Sequence, residues 1–172
     1  MAEGALGGYK ILDLTQFESG TVCTETLAWL GAEVIKVERP VRGELGRYSA
    51  ARPGVDSYGF VIMNMNKKSI TCNMKTPEGK RLITRLLERV DVVVENMGPG
   101  SMDRLGFDYE TCRGLNPGII YASLKGFARN SPYAEFPAFD PIATHTGGFV
   151  AATGLPDKPI KAGVSVADSG TG

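Results

Sequence analysis

Short apolar runs recur along the chain, and most of them end in polar or glycine-rich residues. The predicted strands are residues 9–14, 34–37, 69–74, 91–94 and 119–124. Apolar residues spaced three and four apart predict intervening helices, at residues 21–31, 77–90, 102–105 and 109–115. Strands that alternate with helices favour parallel pairing. The pattern therefore predicts an α/β fold with a doubly wound, mostly parallel, Rossmann-like sheet and helices on both faces.

Two of the predicted helices have recognisable features. The first carries Cys23, Leu27 and Leu30 on one face. The helix after the third strand has a clear start, with Thr76 as the N-cap and Pro77 at the first helical position. Both helices are long enough to connect parallel strands.

Irregular segments follow the second and the fifth strand. Residues 39–59 hold several glycines, prolines and arginines, and a stretch this long without secondary structure is uncommon unless it covers a ligand or a partner. Residues 142–152 are predicted as a helix that is interrupted at Gly147 and Gly148. Residues 154–163 are predicted as a loop.

Polar side chains stand at the carboxyl ends of four predicted strands, at Glu38, Lys75, Glu95 and Lys125. Ligands bind beyond this end of the strands in an open parallel sheet. The sequence therefore predicts a binding site at this edge before any motif is considered.

Length and charge narrow the class of protein. A chain of 172 residues with 42% hydrophobic content can form one domain with a real core. Its 19 basic and 19 acidic residues cancel, so no overall field recruits nucleic acid or an anionic membrane. No apolar run is long enough to span a bilayer, and the amino terminus does not resemble a secretory signal. We expect neither a nucleic-acid nor a membrane partner.

The cysteines and the histidine argue against disulfide and metal sites. Cys23, Cys72 and Cys112 are an odd number at wide spacing, which fits a reducing cytoplasm. We expect these cysteines and Trp29 in the core. A single histidine, His145, excludes a clustered histidine site, and we expect no metal. The glycine motifs of dinucleotide-binding and P-loop folds are also missing.

Five segments together carry a resemblance to a known family. They are residues 33–40, 66–70, 74–80, 94–100 with 104–106, and 116–121. In this order and spacing they resemble the family III coenzyme A transferases, from about Gly8 to Gly172. The Lys-Thr-Pro-Glu-Gly-Lys run at 75–80, the Glu-Asn-x-Gly-Pro-Gly run at 95–100 and the Lys-Gly-Phe at 125–127 are most similar to the formyl-CoA:oxalate type.

The resemblance implies a catalytic carboxylate. The family's nucleophile is an aspartate followed by small residues, and Asp168 stands at the matching position. It would carry CoA from an acyl-CoA thioester to a free carboxylic acid through aspartyl anhydride and aspartyl-CoA thioester intermediates. If Asp168 opens a helix, we expect the helix dipole to favour its ionised form.

The resemblance also implies where coenzyme A binds. The matching positions are Glu18, Ser19, Arg39, Cys72, Asn73, Met74, Lys75, Asn96, Met97, Gly98 and Arg104. The three cations among them would neutralise CoA phosphates. Family members often carry glutamine at the position of Glu18.

Family members are more than twice as long as this chain and form interlocked homodimers. By this resemblance, residues 1–172 would be the N-terminal part of the large CoA-binding Rossmann-like domain, without the second domain and the C-terminal return. We therefore expect these residues alone to be inactive.

Two alternatives stay open. A racemase of the α-methylacyl-CoA type shares the fold and the CoA site but uses a histidine before an aspartate, in the segment that matches Ala138, Phe139 and Asp140. Phe139 cannot move a proton, which favours the transferase. The chain could also be an inactive CoA-binding fragment.

Overall fold

Five parallel strands form one sheet in the order β3-β2-β1-β4-β5. The structure is a computed structural model that describes residues 4–49 and 52–172. The strands are β1 Lys10–Asp13, β2 Glu33–Glu38, β3 Lys68–Thr71, β4 Val92–Glu95 and β5 Ile120–Ser123. The predicted doubly wound α/β class is confirmed.

Helices connect the strands and continue beyond them. They are α1 Ser19–Trp29, α2 Tyr58–Ile62, α3 Pro77–Leu87, α4 Ser101–Leu105, α5 Tyr109–Leu115, α6 Asp140–Thr146, α7 Phe149–Ala152 and α8 Val166–Thr171. A 3-10 turn, Leu45–Tyr48, lies within the segment predicted as irregular. No helix of the described residues is both long and apolar enough to cross a membrane.

The sheet separates two apolar cores. Leu12 and Leu14 of the β1 segment pack with α3, α4 and α5 on one face, whereas Ile11 packs with α1 on the other. Successive side chains of a strand point to opposite faces, which explains the division. Each face has helices against it, as the alternation of elements predicts.

The predicted start of α3 is confirmed. The Thr76 hydroxyl accepts a hydrogen bond from the Gly79 N–H at 3.1 Å, and Pro77 opens the helix. Ile83 and Leu87 are then fully buried against the sheet. The cap and the apolar stripe together fix this crossover between β3 and β4.

Two predicted segments differ in detail. The helix expected over residues 142–152 is two helices, α6 and α7, and Gly148 between them has a φ of 79° that favours glycine. The loop expected over residues 154–163 contains a small hairpin, β6 Gly154–Leu155 and β7 Lys158–Pro159. Its strands are too short for a periodic pattern to reveal.

The predicted core positions of α1 are partly wrong. Its most buried residues are Gly20, Thr21, Thr24 and Ala28, whereas Trp29 is 59% exposed. Leu30 is also exposed and Cys23 is half-buried, while Cys72 and Cys112 are buried as expected. Small and polar side chains are needed on the inner face of α1 because it packs on a charged group of β1, described below.

Candidate active site

The order of the strands reverses between β1 and β4, and a pocket of about 460 Å³ opens beyond the carboxyl ends of these strands. Open parallel sheets bind ligands at such a reversal. The loops that follow β1 and β4, here called the β1 loop and the β4 loop, line the pocket together with α8. Their lining residues are Gln16, Phe17, Glu18, Ser19, Asn96, Met97, Gly98 and Asp168. Phe127, Phe136 and Phe139 add an apolar side.

Asn96 joins the two loops, which both line this pocket. Its Oδ1 accepts the Gln16 N–H at 2.8 Å, and its Nδ2 donates to the Gln16 carbonyl at 2.7 Å. Gly20 packs beneath this bridge, where an added Cβ would lie 2.5 Å from Thr15 Cγ2. The close approach requires glycine at position 20, and it brings the start of α1 against the β4 loop.

Glu95 orders the β4 loop from below. Its buried carboxylate accepts the Met97 N–H at 2.9 Å and pairs with the Lys125 ammonium at 2.7 Å, and the Ser123 hydroxyl bonds to its other oxygen. Charge-assisted bonds of this kind are stronger than neutral ones. The backbone at Met97, which lines the pocket, is therefore held by a buried carboxylate whose two oxygens both accept hydrogen bonds.

A buried ionic cluster supports the β1 loop. Asp13 Oδ2 lies 3.1 Å from Lys67 Nζ and 3.8 Å from Lys36 Nζ, and its carboxylate also accepts bonds from Thr15 and Thr24. Burial opposes ionisation of Asp13, but Lys36, Lys67 and these hydroxyls together keep its pKa below the usual value. This charged group is the reason why α1 presents threonines to the sheet.

Glu44 holds the backbone of Phe17. Glu44 is 3% exposed, and its Oε1 accepts the N–H groups of Phe17 and Gly46, each at 2.7 Å. Phe17 has a φ of 62°, which is rare for a residue with a side chain. Its ring meets Phe139 edge-on at 5.9 Å. Sequence reasoning missed Glu44, whose role depends on a contact between two distant segments.

Asp168 is half-buried in the first turn of α8 and lines the pocket. Burial, then the negative charges of Glu18 and Asp140, raise the pKa of Asp168 above its usual value. The helix dipole is expected to favour the ionised form, but α8 has only six residues, and burial together with these two carboxylates acts in the opposite direction.

Two contacts fix α8 against its neighbours. Asp140 Oδ1 accepts the N–H groups of Ala167 at 2.8 Å and Asp168 at 3.4 Å. The Ser169 hydroxyl donates to Glu18 Oε1 at 2.6 Å. These bonds anchor the first turn of α8 to α6 and to the start of α1, and so place Asp168 at the pocket. Sequence reasoning missed the role of Asp140.

The structure gathers most of the predicted site residues in one pocket. Those that line it are Glu18, Ser19, Arg39, Asn96, Met97, Gly98 and Asp168. Those outside its lining are Cys72, Asn73, Met74, Lys75 and Arg104.

The outlying residues stay at the same edge of the sheet. Cys72 is buried and donates to the Gly79 carbonyl, and Asn73 Oδ1 accepts the Lys75 N–H. Arg104 is exposed on α4 and donates to Ser101 Oγ at 3.1 Å. The end of β3 lies three strand spacings, about 14 Å, from the end of β4. A ligand that reaches both places must be extended.

The described residues contain no group of three or more histidine, cysteine or acidic side chains arranged to hold a metal ion. His145 does not line the pocket, and its Nδ1 lies 2.5 Å from the Pro141 carbonyl. The polar groups that line the pocket include the carboxylates of Glu18 and Asp168, the Asn96 amide and the Arg39 guanidinium.

Comparison with known proteins assigns this chain to a family. Residues 6–172 match the family described as CoA-transferase family III, and the chain belongs to it. The resemblance inferred from the motifs is thereby confirmed.

Two curated relatives share close to half of the sequence. The formyl-CoA:oxalate CoA-transferase of Streptomyces avermitilis is 46% identical over 98% of this chain, and that of Rhodopseudomonas palustris strain BisB18 is 47% identical over 98%. The chain spans 41% and 40% of the lengths of these relatives.

A solved structure shows the same architecture. A CAIB/BAIF family protein from Brucella suis superposes with a TM-score of 0.90 at 38% identity, over 96% of this chain and 45% of that one. The fold that forms the pocket at the reversal of strand order is therefore one that a solved family member also adopts.

Proposed function

We propose that the complete polypeptide carrying this chain transfers CoA from an acyl-CoA thioester to a free carboxylic acid, with Asp168 as the covalent carrier. The observation that carries the proposal is the position of Asp168, whose carboxylate lines the pocket at the reversal of strand order. Family membership makes this chemistry the natural assignment for that carboxylate.

The reaction is a chain of acyl exchanges. The Asp168 carboxylate attacks the thioester carbonyl carbon, the C–S bond breaks, and CoA leaves as a thiolate from a mixed anhydride. The thiolate then attacks the Asp168 carbonyl carbon of that anhydride and releases the donor acid as a carboxylate. The resulting aspartyl-CoA thioester keeps the free energy of the donor thioester on the enzyme.

The acceptor acid reverses these steps. Its carboxylate attacks the aspartyl thioester carbonyl, expels the CoA thiolate and forms a second anhydride. The thiolate attacks the acceptor's carbonyl carbon, which produces the new acyl-CoA and restores the Asp168 carboxylate. Every bond that forms is matched by one that breaks, and no oxidant or metal is required.

Coenzyme A would lie along the carboxyl edge of the sheet. Arg39 is exposed at the pocket, and Lys75 and Arg104 are exposed farther along the same edge, where they could neutralise phosphates. The segments 72–75 and 96–98 would hold the nucleotide and the thiol arm, and Ser19 lines the same pocket as Asp168. The extended shape of CoA suits a site that spans several strands.

The proposed partners are an acyl-CoA and a small carboxylic acid. The two relatives are named for formyl-CoA and oxalate, and we propose substrates of that size for this protein. By family resemblance the complete polypeptide would act as an interlocked homodimer in the cytoplasm. The balanced charge of this chain gives no support for a nucleic-acid or membrane partner.

Two features support transfer over racemisation. Phe139 lines the pocket at the position where a racemase of this fold carries a histidine. The chain's single histidine, His145, lies outside the pocket. Removal and return of an α-proton needs a group that titrates, and neither residue supplies one there.

The test compares acid-dependent formation of a new acyl-CoA by the wild type and by Asp168→Asn and Asp168→Ala. We expect both variants to lose transfer, whereas Asp157→Asn, at the exposed turn of the hairpin, keeps it. Undiminished transfer in the Asp168 variants would refute the proposal. Exchange of an α-proton in D₂O, without any acceptor acid, would indicate the racemase instead.

A further inference from the structure

We propose that Glu18 is an electrostatic positioning residue that makes Asp168 a more reactive nucleophile, with Ser169 holding the two carboxylates in register. The inference rests on the proposed function and concerns the second of the two acids, Glu18 and Asp168, that line the pocket.

The geometry brings Glu18 to the nucleophile through its neighbour in sequence. The Ser169 hydroxyl donates to Glu18 Oε1 at 2.6 Å, and Ser169 directly follows Asp168 in α8. Glu18 and Asp168 line the same pocket. A side chain at the start of α1 is thus tied to the turn that carries the reacting carboxylate.

Within the described residues, the Glu18 side chain makes no hydrogen bond other than the one from Ser169. It stands at the N-cap position of α1, but its side chain makes no capping hydrogen bond. Within residues 4–49 and 52–172, no lysine or arginine pairs with it. The Ser169 hydroxyl that donates to it carries no charge, so no cation neutralises the carboxylate of Glu18.

The second carboxylate near Asp168 is compensated. Asp140 is 3% exposed, its Oδ1 accepts two N–H groups of α8, and Lys161 Nζ lies 3.6 Å from its Oδ2. The cations that line the pocket are Arg39 and Lys125, and Lys125 pairs with Glu95. Two acids, Glu18 and Asp140, face α8 from α1 and α6. Asp140 has a cation and two N–H groups as partners, so Glu18 is the acid whose negative charge acts on Asp168 with less neutralisation.

The charge of Asp168 changes during the reaction, and Glu18 acts on that change. When the carboxylate attacks the thioester, its negative charge moves to the departing CoA thiolate and the acylated Asp168 becomes neutral. Repulsion from Glu18 is present before the attack and relieved after it, which lowers the barrier. Burial is the largest cause of the raised pKa of Asp168, and the charge of Glu18 raises it further, which agrees with this arrangement.

The variant Glu18→Gln isolates the charge. Glutamine keeps an oxygen that accepts from Ser169 and keeps the side-chain volume, but it carries no charge. Because the Glu18 side chain does not cap α1, this exchange leaves the helix start intact. Glu25→Gln is a matched control, because it removes one charge from the same helix at a residue outside the pocket lining.

The experiment measures the single-turnover rate of CoA adduct formation at Asp168 across pH, in the complete polypeptide. For Glu18→Gln we expect the midpoint of the pH profile to move to lower pH and the plateau rate at high pH to fall several-fold. Glu25→Gln should follow the wild type. A pH midpoint and a plateau rate that do not change in Glu18→Gln would overturn the inference. Absence of any adduct at Asp168 in the wild type would instead refute the proposed function.

Discussion

Glu44 Oε1 accepts the Phe17 N–H at 2.7 Å and thereby stabilises a backbone conformation that phenylalanine rarely adopts. A φ of 62° costs free energy for any residue with a Cβ, so it persists only where neighbouring groups enforce it. Strain of this kind is common at functional sites, and here it directs the Phe17 ring into the pocket beside Phe139. The pocket wall thus depends on a carboxylate buried outside the pocket.

Replacement of Glu44 by alanine should damage both stability and the pocket. The change leaves two N–H groups without their acceptor and removes a carboxylate 3.8 Å from the buried Lys36 ammonium. We expect a loss of about 3 kcal/mol in the free energy of unfolding, measured by urea denaturation. Glu44→Gln keeps an acceptor and should lose less. Equal losses in the two variants would contradict the role assigned to the hydrogen bonds.

Replacement of Asn96 should separate the two loops of the pocket. Asn96→Ala removes both bonds to Gln16, and Asn96→Asp places a second acceptor against the Gln16 carbonyl. We expect each variant to raise the KM for acyl-CoA and to lose about 1 to 3 kcal/mol of stability. Steady-state kinetics and thermal unfolding measure the two effects. Asn116→Ala, which removes bonds to Leu87 and Val90 away from the pocket, is a control that should affect stability but not KM.

Glu38 should make stability depend on pH in the acid range. Although burial opposes its ionisation, bonds from Arg47, Ser69 and the Glu44 N–H lower the pKa of Glu38 from 4.5 to about 2. Since the folded value lies below the unfolded one, Glu38 stabilises the fold above pH 4.5, and this stabilisation disappears as the pH falls through about 2.

The size of this effect follows from the shift, on the order of 3 kcal/mol at neutral pH. Glu38→Gln should therefore lower the free energy of unfolding at pH 7 and have much less effect near pH 2. Urea denaturation at several pH values measures the difference. Glu135→Gln, at an exposed loop position, is the control and should show no such dependence. A pH-independent difference for Glu38→Gln would contradict the prediction.

Asp168 should reduce stability at neutral pH. Its folded pKa is raised by burial and by Glu18 and Asp140, so the protonated form favours folding and this contribution is lost as the pH rises through the folded pKa. Asp168→Asn removes the ionised group, and we expect it to raise Tm at pH 7 while abolishing transfer. The gain should shrink at low pH. A lower Tm at pH 7 would show that the ionised carboxylate stabilises the fold instead.

The strand and helix pattern predicted the fold well because apolar residues dominate the contacts between layers. It was wrong where polar groups are buried. The inner face of α1 consists of Gly20, Thr21, Thr24 and Ala28 because it packs over the ionic cluster of Asp13, whereas the large Trp29 side chain lies outside. Periodicity of apolar residues carries no information about a charged group beneath a helix.

The candidate site was predictable only in part for a similar reason. Motif resemblance identified Asp168, Glu18 and Asn96, and the reversal of strand order brings them together. Asp140 and Glu44 carry no local signal, since each acts through bonds to backbone groups of a distant segment. Such supporting residues become visible only when the chain is folded.

The most direct test of Asp168 as covalent carrier is to trap its CoA thioester adduct. The complete polypeptide is incubated with an acyl-CoA and quenched with hydroxylamine, which displaces CoA from an aspartyl thioester and leaves an aspartyl hydroxamate. Peptide mass mapping should then locate the hydroxamate at Asp168 in the wild type and find none in Asp168→Asn. A hydroxamate at another residue, or transfer that proceeds with Asp168 unmodified, would contradict the account.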